Sequence, residues 1–298
     1  MKPLRLLTAL FLAAFFSSAP AQASLKLKAP SGEALELTAR ALQPGEVILV
    51  VWHKSPDSQS AEFTFLGKRY EFSAIGPAGL PFALVGIDLE TRPGSYLIKA
   101  EFLKAQGPKE LLESTIRLLP KTFPRKDIVL DDESQVIPPP EAAERIAREQ
   151  QLLAKIYGSL AAEWLASGNF RPPLEGRPKQ NFGEIRVLNK VRRSRHTGVD
   201  MDAEMGAAVA ASNAGRVALA ADLYFSGNTV ILDHGLGAFS AYCHFSRLAV
   251  GEGQMVCRGD IIGFAGSTGR STGPHLHWAV RLRGARVDPL SLLSLVLE

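Results

Sequence analysis

Two histidines one residue apart, His275 and His277, follow a glycine- and proline-rich loop, Ser267-Thr268-Gly269-Arg270-Ser271-Thr272-Gly273-Pro274. Side chains at i and i+2 of a strand project to the same face, whereas on a helix they diverge. The pair therefore reads as two imidazoles aimed at one point from a strand. A second pair, His196 and Asp200, brackets Thr-Gly-Val, which is poor helix material because glycine and β-branched residues cost helix stability. On a strand, i and i+4 again share a face. One His/His pair and one His/Asp pair supply imidazole and carboxylate ligands, the chemistry of a zinc site with three protein ligands and an open fourth position. Spacing alone leaves open which of His275 and His277 would be the ligand.

A third element, Tyr242-Cys243-His244, follows the strand and glycine turn of Val230-Ile231-Leu232-Asp233-His234-Gly235-Leu236-Gly237. The succession of His-x3-Asp, Tyr-x-His and the Gly-rich loop ending in His-x-His resembles the zinc metallopeptidases typified by lysostaphin and LytM, which cut peptide bonds in bacterial cell-wall peptidoglycan. The resemblance runs from about Phe182 to Pro289. It implies one Zn²⁺ held by His196, Asp200 and His277, with His244 and His275 as catalytic histidines beside it. Zinc would acidify a bound water and polarise the scissile carbonyl. The chain has no His-Glu-x-x-His, so no helix-borne glutamate base is present. Proton handling then falls to His244 and His275, since the imidazole pKa lies near working pH.

The neighbours of these motifs are less specific. A basic run, Arg186 to Arg195, carries Arg186, Lys190, Arg192, Arg193 and Arg195 with no acid. It reads either as a solvated loop or as a positive groove rim attracting the carboxylates of stem peptides. The segment Asn181-Phe182-Gly183-Glu184-Ile185-Arg186 resembles the family's groove entrance. Arg186 and Tyr242 are the candidate substrate contacts. Tyr242 is expected on the strand face of His244, where packing and hydrogen bonding to the site are its two readings. The same alternation points Cys243 away from the site, into the core. Export permits a Cys243–Cys257 disulfide, although sequence does not supply the required geometry. His53 receives no function, and His234 is expected to support a hairpin turn.

The remaining chain must position this site. Met1 to Ala23 reads as a secretory signal: charged Lys2 and Arg5, apolar Leu6 to Phe16, then Ala21-Gln22-Ala23. The apolar stretch is short for a membrane span, no later segment is long and apolar enough to cross one, and the mature protein is expected in the periplasm or cell envelope. Removing Lys2 and Arg5 leaves 32 basic against 30 acidic residues, a net charge of +2. That balance gives no support for nucleic-acid binding beyond the local basic run. Residues 24–120 show short strand-like runs, such as Glu46 to Trp52 and Ser95 to Ala100, punctuated by Gly-Pro and Pro-Gly. They suggest an immunoglobulin-like β-sandwich, similar to domains preceding the peptidase in exported Gram-negative family members. Residues 121–170 read as a Pro-rich linker, extended through Pro138-Pro139-Pro140, and a helix from about Glu141 to Ala166. Residues 171–298 read as an antiparallel β peptidase domain.

The expected fold is thus mainly β, and the expected function is zinc-dependent hydrolysis of peptide bonds in peptidoglycan stem peptides or cross-links, by a monomer open to a protein regulator. The main rival is a non-catalytic relative that activates a separate wall hydrolase. Weaker rivals are a structural wall-binding protein and a secreted toxin cutting glycine bridges. Retention of His196, Asp200, His244, His275 and His277 speaks against degeneration of the site.

Overall fold

The computed structural model describes residues 22–72, 74–131 and 133–297. The expected export signal lies outside them except for its last two residues. The N-terminal half contains β1 (Ala23–Lys28), β2 (Ala34–Ala39), β3 (Val47–His53), β4 (Ser58–Phe65), β5 (Lys68–Glu71), β6 (Ala74–Ile75), β7 (Pro81–Gly86), β8 (Gly94–Lys104) and β9 (Glu110–Leu118). They form two antiparallel sheets, ordered β1-β2-β3-β7-β6 and β5-β4-β8-β9. One core joins them: Ile48, Val50 and Trp52 from one sheet meet Phe63, Phe65, Ile98 and Phe102 from the other.

The unbroken apolar run of β3 has a physical reason. Alternate residues Val47, Leu49 and Val51 face the opposite way, into a second core shared with the C-terminal half. A strand buried on both faces has no polar face to display, so alternation disappears. Gly86 lies where a Cβ would come within 2.9 Å of Ala285 Cβ and 3.0 Å of Val287 Cγ1, so its missing side chain allows the two halves to approach. Arg286 reaches back to Asp88 through Nε and Nη2 at 3.0 and 2.7 Å. Arg40 bridges Glu46 and Asp288 at 2.8 and 2.6 Å.

The segment expected as a linker contains a strand, β10 (Arg125–Ile128), and the helix α1 (Ala143–Gly158). β10 pairs in parallel with β11 (Ile185–Leu188), which pairs antiparallel with β12 (Arg192–Arg195). The helix stops before the expected Ala166. Beyond Gly158 the backbone turns to tertiary partners instead: Leu165 N–H donates to His234 O at 2.8 Å, and Ala161 O accepts from Leu236 N at 3.0 Å. Leu153, Ile156 and Tyr157 of α1 pack on Leu219, Leu223, Ile231, Phe239 and Ala241.

The C-terminal half adds β13 (Val199–Asp202), β14 (Ala208–Ala210), β15 (Gly215–Leu223), β16 (Gly227–Asp233), β17 (Ala238–Leu248), β18 (Met255–Val256), β19 (Ile261–Ala265), β20 (His275–Leu282), β21 (Ala285–Val287) and the short helix α2 (Pro289–Leu293). Nine of these strands form one sheet whose spine runs β13-β20-β17-β16-β15-β18. Leu276, Trp278, Val280 and Leu282 of β20 face the shared core. His275 and His277 occupy the alternate positions, on the opposite face. No helix among the described residues is long and apolar enough to cross a membrane.

His234 shows what a structural histidine looks like here. It is 1% exposed, with Nδ1 2.7 Å from Ala214 O and Nε2 2.7 Å from Ser240 Oγ. Burial pushes its pKa down from 6.5 to about 4. Between these values the unfolded chain binds the proton and the folded chain does not, so stability rises with pH across that window. The contribution is complete above pH 6.5 and is lost as pH falls through about 4. It amounts to about 3 kcal/mol. Denaturation between pH 4 and 7 should show a shallower pH slope for His234→Gln than for the parent chain. Equal slopes would refute the assignment.

Candidate metal centre and groove

The register of three strands builds the centre. Asp200 on β13 is directly opposite His277 on β20, and His277 is opposite Cys243 on β17. Directly paired residues share a face, so Asp200, His277 and Cys243 lie in one row on the same face of the sheet, and Asp200 and His277 of that row line the groove. His196 enters from the bend between β12 and β13. Its Nε2 lies 2.9 Å from Asp200 Oδ1 and 2.8 Å from His277 Nδ1, and His277 Nδ1 lies 3.1 Å from the same Oδ1. Gly198 is required in that bend, because a Cβ there would stand 2.4 Å from Trp278 O and 2.9 Å from His277 Cε1.

Two imidazole nitrogens and one carboxylate oxygen at these separations suit a small divalent cation. Among the described residues this is the group of His, Cys, Asp and Glu that could hold one. His196 Nδ1–H donates to Asn181 O at 2.9 Å, which fixes the tautomer and leaves Nε2 as the free lone pair. Burial would raise the Asp200 pKa, but the adjoining His196 and His277 rings outweigh it and hold the carboxyl below its usual range. Burial pushes His277 down to about 4, against the opposing pull of Asp200. An ionised carboxylate and a neutral imidazole are the states a metal ligand needs.

His244 and His275 stand beside this cluster, with ring centroids 4.8 Å apart. His275 Nε2 is 3.8 Å from Asp200 Oδ1, while its Nδ1 lies 2.8 Å from Gly273 O. His244 Nδ1 lies 2.8 Å from Thr268 O. In both rings the Nδ1–H serves a backbone carbonyl of the Gly-rich loop, leaving Nε2 as the basic nitrogen. Burial, then the nearby His277 and His275, push His244 down to about 3, so it is neutral at neutral pH.

Several expectations change here. Tyr242 is not a substrate contact: it is fully buried, and its hydroxyl bonds Ser212 and Ser240. The cause is a bulge in β17. Three steps from Tyr242 to Phe245 oppose two on β16, from Val230 to Asn228. His244 takes a left-handed φ of 67°, a conformation costing about 1–2 kcal/mol for a non-glycine residue. The bulge breaks the alternation, so Tyr242 turns to the core and both Cys243 and His244 turn to the groove side. Cys243 therefore does not point away from the site. Burial pushes its thiol up to about 12, so it remains protonated. Both cysteines are free thiols, Cys243 buried and Cys257 exposed. Arg186 lines the groove, yet its guanidinium is engaged by Asp200 Oδ2 at 2.7 Å and Glu184 Oε1 at 2.9 Å. It steadies Asp200 rather than offering an open charge.

Asn181 is the residue whose role sequence reading missed. Its Nδ2 donates to Asp200 Oδ2 at 2.9 Å, its Oδ1 accepts from Asp200 N at 3.1 Å, and its carbonyl accepts from His196. One residue thus orients two members of the cluster. The Asn181–Arg186 segment was conspicuous in sequence, but nothing local marks the asparagine over the arginine. Asn181→Ala should weaken zinc binding about 10- to 100-fold, measured by competition with a chromophoric chelator. Unchanged affinity would remove Asn181 from the centre.

Comparison with known proteins now bears on this geometry. The profile of Peptidase family M23 matches residues 194–289. The crystal structure of a peptidase M23 protein from Pseudomonas aeruginosa is 30% identical, covers 85% of this chain and 95% of that one, and superposes with a TM-score of 0.64. This chain belongs to peptidase family M23. Curated relatives include the peptidoglycan DD-endopeptidase ShyA of Vibrio cholerae, 35% identical over 131 residues, which are 43% of this chain and 27% of that protein. The murein hydrolase activator NlpD of Salmonella dublin is 36% identical over 125 residues, 42% of this chain and 31% of that protein. This chain thus spans under a third of the length of either relative.

Proposed function

We propose that the protein is an exported zinc endopeptidase hydrolysing peptide bonds in peptidoglycan stem peptides or their cross-links. The observation that carries this reading is the convergence of His196 Nε2, Asp200 Oδ1 and His277 Nδ1 within 3.1 Å of one another at the floor of a groove. Zinc held there would supply a Lewis acid for the scissile carbonyl and an acidified water. The chain's own residues handle protons and charge. His244 and His275, each anchored through Nδ1 to a loop carbonyl, orient the attacking water and accept its proton on Nε2. The resulting imidazolium then hydrogen-bonds the tetrahedral oxyanion and returns a proton to the leaving amine. The signal-like Met1–Ala23 segment supports export to the periplasm or envelope.

Similarity to an activator favours a second reading, in which the groove binds wall or partner and cuts nothing. Digestion of purified sacculi with residues 24–298, followed by mass spectrometry of released muropeptides, separates the two. New peptide termini that disappear with a chelator support the endopeptidase. Absence of any zinc-dependent product would give precedence to the activator.

A further inference from the structure

The turn between β15 and β16 stands at the edge of the groove, which Phe225 and Ser226 line. It also holds the neighbouring Gly-rich loop and His244 in place. Ser226 O accepts from His244 N at 2.9 Å, and Phe225 O accepts from Arg270 N at 2.8 Å. Thr268 closes the circuit: its carbonyl receives the His244 Nδ1–H, and its Oγ1 accepts from Asn228 N at 3.0 Å. Turn and loop touch backbone to backbone. A Cβ at Gly227 would stand 2.4 Å from Thr268 C, and one at Gly269 would stand 2.3 Å from Gly227 N. With no side chain between them, a shift of the turn passes directly to the loop, and it reaches His244 at both its backbone and its ring.

The turn is braced from outside the family-matched residues 194–289. On α1, Glu149 Oε2 accepts from Tyr224 N at 2.9 Å, while Glu149 Oε1 accepts from Arg145 Nε at 2.7 Å. Arg145 Nη2 donates to Asp222 O at 3.1 Å and to Asp222 Oδ2 at 3.0 Å, and its guanidinium lies over the Tyr224 ring. The Glu149 side chain is 15% exposed and that of Arg145 42%, so the carboxylate contact is the sheltered one. A carboxylate accepting a backbone N–H makes a charge-assisted bond, about twice as strong as a neutral one. Leu153 and Ile156, further along the same helix face, pack on the sheet beneath, so Glu149 sits on an anchored helix. We propose that Glu149 is a positioning residue for catalysis: by capping Tyr224 N–H it fixes the turn that holds His244 over the groove. It acts through the turn and not by touching substrate, and α1 becomes part of the support of the site. This rests on the endopeptidase reading above and deepens it.

The test uses residues 24–298 loaded with zinc and a soluble cross-linked muropeptide as substrate. Glu149→Ala should keep its zinc and its near-ultraviolet circular dichroism, leave KM little changed and lower kcat about 10- to 100-fold, the scale expected when a catalytic group is displaced by about 1 Å. Glu149→Gln, whose amide oxygen can still accept the Tyr224 N–H, should recover most of that loss. Amide hydrogen exchange, followed residue by residue, reads the same support without turnover. In Glu149→Ala the amides of Tyr224, His244 and Arg270 should exchange faster, while those of the core strand residues Val230 and Ile231 keep their parent rates. If the parent chain cuts nothing but Glu149→Ala still loosens those three amides selectively, the endopeptidase reading fails and the bracing of the turn by α1 stands. Parent-like kcat in Glu149→Ala, equal losses in the alanine and glutamine variants, loss of zinc along with activity, or faster exchange spread over the whole sheet would each overturn the proposal.

Discussion

His277→Ala should lose bound zinc and about a thousandfold or more of peptidoglycan-cleaving activity, while the chain stays folded. The side chain joins the cluster through Nδ1 alone, 2.8 Å from His196 Nε2 and 3.1 Å from Asp200 Oδ1. Removing it leaves one imidazole and one carboxylate, short of the three protein ligands of a catalytic zinc site. The fold should survive because β20 is held from its other face by Leu276, Trp278, Val280 and Leu282, all in the core. Elemental analysis of the purified variant, near-ultraviolet circular dichroism and release of muropeptides together decide the matter. Stoichiometric zinc in His277→Ala would pass the ligand role to His275, the other histidine of the pair. Normal cleavage without metal would end the zinc reading.

For His244→Ala the expected result is different in kind: zinc retained, KM little changed, and kcat lower by about 10²- to 10⁴-fold, the range for a positioned acid–base group. His244 is outside the converging cluster, its ring centroid 6.1 Å from that of His277. Its backbone strain at φ 67° and its bond to Thr268 O hold the ring over the groove at some cost in stability. A variant with near-normal kcat and bound zinc would exclude His244 from proton transfer and leave His275 alone in the role. The two substitutions thus separate holding the metal from moving the proton, by reading metal content and turnover on the same samples.

Much of the centre was legible in the chain. The pairs 275/277 and 196/200 announced a shared face because strand periodicity is a local property of the backbone. The apolar run of β3 announced a buried strand for a similar reason, although it could not say that the second face meets another half of the molecule. What stayed hidden came from pairings across long separations. The bulge that turns Tyr242 inward and His244 outward exists only because β17 has one residue more than β16 opposite it. The parallel docking of β10 on β11 joins residues some sixty positions apart, and an extended proline-bounded segment looks the same in sequence whether it is solvated or paired. Asn181 orients Asp200 and His196 by a backbone carbonyl and an amide, groups whose partners no spacing rule encodes. Local spacing named the candidate side chains and showed which of them share a strand face. Their aim, their supports and the groove wall came from register and docking between distant segments, and hydrogen bonds across such separations leave no periodic trace in the chain.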